Sequence, residues 1–260
     1  MITYRNLGTE MMRKSFKTGR CSFMRRLGLV MGAVVLGLSV APMAEAVPKQ
    51  IIILRHGEKQ DDYLLCAIGQ QRSLALQANY LGKGAVSSLF HADTGPDGIF
   101  GITLHTLELA SPAAQSWGLP MQFYSVVPLP GLDKKEVTKQ LNKRTQQAAN
   151  AVLTDPHWDG KILVMVWEHD HIAKKKLEEE FPKEKVTLRQ LLNIDKLQNV
   201  PKDWNGDNYD YFWIVDYGNP GSAIPTKFTA KKQVFPAPYN AVPSNEWDTS
   251  ENLPSGSGCN

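Results

Sequence analysis

Cysteine is scarce in this chain, with three in 260 residues, and Cys21 lies in a segment read below as a leader. Two remaining thiols, Cys66 and Cys259, are too few for a fold held together by cross-links. Whether they pair is left open by the sequence: a single bridge and two independent thiols are both compatible with it. Long apolar runs are also missing. The stretch Leu27–Val40 falls short of the roughly 20 residues that a membrane-spanning helix requires, and nothing after it is longer. Nor is there an excess of one charge, since 29 Lys and Arg face 26 Asp and Glu. No basic patch of the kind that binds nucleic acid emerges, and the run Lys174–Lys176 is answered by Glu178–Glu180 at helical spacing. There is no internal repeat.

What the first 46 residues do contain is the pattern of an export signal. Arg25 and Arg26 precede the apolar stretch, and Ala44-Glu45-Ala46 supplies a small-x-small cleavage site. Met24 offers an alternative start, which would make the residues before it an extension. General secretion with cleavage after Ala46 is expected, leaving a periplasmic or secreted chain with no membrane association. Without the leader, 22 of the 29 basic and 24 of the 26 acidic residues remain, so the basic character belongs to the leader and the mature chain is weakly acidic.

The mature length suits one domain over residues 47–235. Strand and helix signals alternate along it, which predicts an α/β fold with a mostly parallel central sheet. Gln50–Leu54 and Lys161–Trp167 read as buried strands, and Tyr211–Tyr217 as a further one. Helices are expected over Gln70–Leu81, with Leu74, Ala78 and Leu81 inward, and over about Thr106–Trp117, kinked or divided at Pro112. Lys134–Leu153 reads as a long amphipathic helix with Val137, Leu141, Ala148 and Val152 in the core, followed by a helix over Ile172–Phe181. Residues 236–260 lack periodicity and read as an extended or disordered low-complexity tail.

Two of these strands run into histidine. Ile51–Leu54 leads to Arg55-His56-Gly57-Glu58, and Ile162–Trp167 leads to Glu168-His169-Asp170-His171. Ligands of open parallel sheets bind beyond the carboxyl ends of strands, so both histidines are expected to face one pocket. A cation, a nucleophile and a glycine together there form a candidate phosphate site. His169, Asp170 and His171 are consecutive at a strand-to-helix junction and do not converge on one ion, so no metal is assigned to them.

Arg55-His56-Gly57-Glu58 after a strand, with a second histidine after a late strand, resembles the histidine phosphatase superfamily, which includes phosphoglycerate mutases and histidine acid phosphatases. The likeness extends through Leu65–Leu81, Trp167-Glu168-His169 with Ile172, and Tyr209–Tyr217. It implies a three-layer α/β/α sandwich of the phosphoglycerate mutase type. It also implies a hydrolase, a phosphatase working through a phosphohistidine on His56, with Arg55 and His169 binding the phosphoryl oxygens and with no cofactor. The general acid is expected at Asp170, with Glu136 and Glu168 as alternatives. The second clamp arginine of the family has no counterpart, and His105 stands in its place. The resemblance therefore implies either an exported phosphomonoesterase acting on a small phosphorylated substrate, weakened at His105, or an inactive relative that binds phosphate or another ligand. Arg72 reads as a surface or packing residue, Glu58 and Lys59 as a mutual or solvated pair, and Trp204–Asp207 as a turn with an aromatic anchor or, alternatively, as the border of a substrate pocket.

Overall fold

The computed structural model describes residues 46–91, 94–251, 253 and 255–260. The leader apart from Ala46 therefore lies outside the described residues. β1 (Gln50–Arg55) is a run of β-branched residues in which Ile51, Ile52 and Ile53 are fully buried, the pattern of a strand covered on both faces. It lies between β4 (Ile162–Trp167), to which it is parallel, and β5 (Tyr211–Asp216), to which it is antiparallel. With β2 (Gly98–Gly101), β3 (Met121–Phe123) and β6 (Lys227–Lys232), these form one sheet of order β3-β2-β4-β1-β5-β6.

Side chains alternate across a strand, and the core divides accordingly. Ile51, Ile53, Leu163, Met165 and Trp213 pack on one face with Ala148 and Val152 of α3 (Lys134–Thr154). Ile52, Leu54, Val164, Val166 and Phe212 pack on the other with Leu76 of α1 (Ala67–Leu76) and Leu109 and Ala113 of α2 (Leu104–Trp117). The three layers and the mostly parallel sheet are those expected from the sequence. Because β1, β2 and β4 are parallel neighbours, their carboxyl ends open on one edge of the molecule.

Several expectations need correction. Leu74 is 42% exposed, because α1 begins earlier than expected and turns Arg72, Ser73, Ala75 and Leu76 inward; a π-helical turn over Gln77–Leu81 follows it. Pro112 lies inside α2 without dividing it. The carbonyl of Glu108, which a prolyl nitrogen cannot serve, accepts the Ser73 hydroxyl at 3.3 Å. The helix expected over Ile172–Phe181 is two short pieces, α4 (His169–Ile172) and α5 (Lys175–Glu180). The strands β2, β3 and β6 were not anticipated.

The largest departure is at the carboxyl end. The described residues from Pro236 onward are not a loose tail: Val242 is buried, Trp247 packs against Trp204 and Tyr211, and Asn245 and Glu246 bond to Asp210 and Asn208. Their order comes from partners distant in sequence, which periodicity does not register. Cys259 is bonded to Cys66 across 193 residues. Asn260 then donates its backbone N–H to the Lys59 carbonyl at 2.7 Å, so this strap reaches the loop that follows His56. No helix of the described residues is long and apolar enough to cross a membrane.

Candidate active site

Arg55 ends β1, and the backbone N–H of His56 continues the ladder to the Trp167 carbonyl at 3.0 Å. The sheet thus fixes the main chain under both side chains. The Arg55 guanidinium is buried over the Tyr209 ring, 3.8 Å from its centroid. One terminal nitrogen donates to the carbonyls of Asn205, Gly206 and Asn208 at 3.3, 2.5 and 3.3 Å. The other lies 3.2 Å from both His56 Nε2 and His169 Nδ1.

The opposite ring nitrogen of His56 is 2.7 Å from the Gly57 carbonyl. A carbonyl only accepts, so Nδ1 carries the proton and Nε2 keeps its lone pair. Burial first, and then the charge of Arg55, push the His56 imidazole well below 6.5, so it is neutral at pH 7. The same two causes bring His169 down to about 3. A buried, neutral histidine with its lone pair beside a guanidinium can act as a nucleophile toward an electrophile that the guanidinium binds.

A second group of side chains closes on His56 from the neighbouring strands. Thr103 and His105 follow β2, at the start of α2, and Glu168 follows β4. Glu168 Oε1 accepts from Thr103 Oγ1 at 2.7 Å and from His105 Nε2 at 2.6 Å, while Oε2 lies 3.6 Å from His56 Nε2. Burial would raise the Glu168 carboxyl, but its neighbours, His56 first and then His105 with its hydrogen bond, hold it well below the usual range. The His56 and His105 rings meet edge to face with centroids 4.8 Å apart. The ligand atoms of His56, His105 and Glu168 all lie within 4.8 Å of one another.

The structure brings Arg55, His56, His105, Glu168 and His169 together. Of the three carboxyls weighed as the general acid, Glu168 is the one at His56. Asp170 is half exposed, 3.2 Å from His169 Nε2 and 3.5 Å from Lys174 Nζ. Glu136 is exposed in the first turn of α3 and paired with Lys139 at 3.3 Å. His171 is buried elsewhere, 2.9 Å from Asn142 Oδ1.

Sequence reasoning missed the support behind the nucleophile. Glu58 is fully buried and paired with Arg72, not with Lys59 or solvent, through bonds of 2.7–3.1 Å. Arg72, read as a surface or packing residue, also reaches Asp210 at 2.8 Å and Glu251 at 2.9 Å. Gly69 permits this approach, because a Cβ there would lie 2.2 Å from the Glu58 carbonyl oxygen. The contacts of Arg55 with Tyr209 and with the carbonyls of Asn205, Gly206 and Asn208 were equally unforeseen; the reading of Trp204–Asp207 as an anchored turn or a pocket border was the nearest signal. An apolar cleft of about 180 Å³ between Ala67–Gln71 and Pro238–Val242 shares no residue with this site.

No protein-family model and no curated protein matches the chain in sequence. Among solved structures, the chain is similar to mycobacterial glucosyl-3-phosphoglycerate phosphatase in its native form. The identity is 13%, the coverage 71% of this chain and 98% of that one, and the TM-score 0.38. The complex of that enzyme with inorganic phosphate gives 14%, 74% and 99%, with a TM-score of 0.38. Mycobacterial hydrolase 2 gives 13%, 81% and 94%, with a TM-score of 0.36.

Proposed function

We propose that this chain is an exported phosphomonoesterase that works through a phosphohistidine on His56. The observation that carries the reading is the fixed tautomer of a buried histidine. His56 Nδ1 is committed to the Gly57 carbonyl at 2.7 Å, so Nε2 is presented beside Arg55 and His169. In the first step Nε2 forms a bond to phosphorus as the ester P–O bond breaks, with the phosphoryl oxygens facing the guanidinium nitrogen that lies beside His56 and His169. Water then displaces the phosphoryl group and returns His56 to its starting state.

The leaving oxygen needs a proton, and Glu168 is the carboxyl nearest to the nucleophile. A phosphate ester arriving beside it adds negative charge, which raises its affinity for a proton. Glu168 is the acid we favour on position; Asp170 remains the alternative, acting past His169. His105 supplies the proton-sharing partner of Glu168 where the family carries a guanidinium.

Two features support action outside the reducing cytosol. The Cys66–Cys259 bond is of a kind favoured in oxidising compartments. The Val47 nitrogen lies 3.2 Å from Asp159 Oδ1, so cleavage after Ala46 would set a new ammonium against a carboxylate.

A second reading is favoured by Glu168 itself. Its carboxylate occupies the approach to His56 Nε2, and the His105 imidazole stands where the family carries its second clamp arginine. A chain so built would bind phosphate weakly and turn it over slowly or not at all. Hydrolysis of p-nitrophenyl phosphate across acidic to neutral pH separates the two. In the enzyme reading the parent is most active in acid, because His56 stays neutral well below 6.5 while a monoanionic phosphate, favoured below about pH 6, is less repelled by Glu168. His56→Ala abolishes turnover, and His105→Arg moves activity toward neutral pH. Equal silence of the parent and His56→Ala at every pH, with no gain in His105→Arg, would discard the enzyme reading.

A further inference from the structure

We infer that His56, His105 and Glu168 form a site for one first-row transition-metal ion of the zinc type, which excludes a phosphoryl group when it is bound. The inference stands apart from the phosphatase reading, since it concerns the donors alone. Two imidazoles and a carboxylate are a donor set that zinc accepts, and three protein ligands leave a position for water. The donor atoms lie within 4.8 Å of one another. Around a tetrahedral ion with bonds of 2.0–2.1 Å they would be roughly 3.4 Å apart, and His56 Nε2 and Glu168 Oε2 are already at 3.6 Å. The 2.6 Å contact of His105 is with the other carboxylate oxygen, Oε1, so a bound ion has to part these two atoms and draw together donors that lie up to 4.8 Å apart.

The groups around these donors are placed as they are around metal ligands. His56 directs its other nitrogen to a backbone carbonyl at 2.7 Å, and Glu168 accepts the Thr103 hydroxyl at 2.7 Å; both contacts orient the donor atoms toward the shared space. His105 Nε2, which donates to Glu168 Oε1 at 2.6 Å, has to give up that proton to ligate an ion, and the opposite nitrogen, Nδ1, has no hydrogen-bond partner and is unengaged to take it. The three donors come from the ends of β1 and β4 and the first turn of α2, and the sheet holds them in place. His169 and His171 are engaged elsewhere, by Arg55 and Asn142.

Arg55 opposes the ion, with a guanidinium nitrogen 3.2 Å from His56 Nε2. Its charge favours phosphate and disfavours a cation, so substitutions here shift the two ligands in opposite directions. Zinc titration of the full chain at neutral pH, against a chromogenic chelator, tests the site directly. One equivalent is expected. Affinity should fall about tenfold or more in Glu168→Gln and in His105→Gln, and stay unchanged in the exposed pair His91→Gln with His157→Gln. Arg55→Gln, checked by circular dichroism for folding, should bind zinc more tightly while losing phosphate. Cobalt(II) should show d–d bands without the charge-transfer band of a thiolate, which separates this site from Cys21. Absence of saturable binding, binding that neither Glu168→Gln nor His105→Gln weakens, or a thiolate band would overturn the proposal. Absence of phosphatase activity with zinc binding intact would overturn only the reading of the preceding section.

Discussion

Glu168 sits where the chemistry of the site is decided. Its carboxyl is held well below the usual range and lies 3.6 Å from the nitrogen that faces an incoming ligand, so its charge repels an anion there. Glu168→Gln removes the charge and keeps the shape. Inorganic phosphate should then bind about tenfold more tightly at pH 7, a difference of about 1.4 kcal/mol, measured by calorimetry; unchanged or weaker binding would show that the carboxylate does not obstruct the site. At this scale the sequence was legible for Arg55, His56 and His169, because their placement follows from adjacent residues at strand ends. Glu168 was legible as a candidate acid but not as the partner of His105 and Thr103, since its neighbours come from β1 and α2. Arg72 was misjudged for the same reason. Burying a guanidinium requires several acceptors, and they sit at positions 58, 210, 233, 243 and 251.

Among the elements, α1 and α2 show how the wall beneath the site is built. Ser73 donates to the Glu108 and Leu109 carbonyls at 3.3 and 2.8 Å, tying the helices together at the gap that Pro112 opens. Ser73→Ala leaves the Glu108 carbonyl without that partner and should cost about 1–2 kcal/mol, read from urea unfolding; a loss below about 0.3 kcal/mol would mean that water or backbone relaxation serves the carbonyl. The strands β1 and β4 were readable because an unbroken apolar run marks a strand covered on both faces. β2 and β3 have four and three residues, too short for a pattern. β6 alternates only Phe228 and Ala230 with polar residues, too little for a pattern, and its order comes from pairing with the backbone of β5; its lysines suit an edge exposed to water.

Across the whole molecule, three carboxyls, Glu58, Asp210 and Glu251, meet one guanidinium at Arg72. The charges do not balance, and one proton is retained: burial, and then Glu58, push Glu251 up to about 9. Raised above its unfolded value of about 4.3, this group contributes stability that is fully present below that value and is lost as pH rises through 9. The buried His56, His169 and His171 act oppositely. All three are lowered below 6.5, His171 to about 4 chiefly by burial, so their contribution is present above 6.5 and is lost as pH falls. The melting temperature should therefore peak in mildly acidic to neutral solution, and Glu251→Gln should flatten the decline between pH 7 and 9. A parent whose melting temperature rises over that interval would refute the retained proton. Closing 193 residues with the Cys66–Cys259 bond adds about 5 kcal/mol in the loop-entropy account, and with the Arg72–Glu251 pair it fastens the carboxyl-terminal strap beside the nucleophile loop. A ribosome delivers Arg55 and His56 some two hundred residues before their last anchor, and a chain that crosses a membrane amino end first keeps that order. Premature termination between Glu58 and Cys259 thus yields a polypeptide carrying the complete nucleophile motif on an unfastened loop, and the arrival of Cys259 is what lets it be locked.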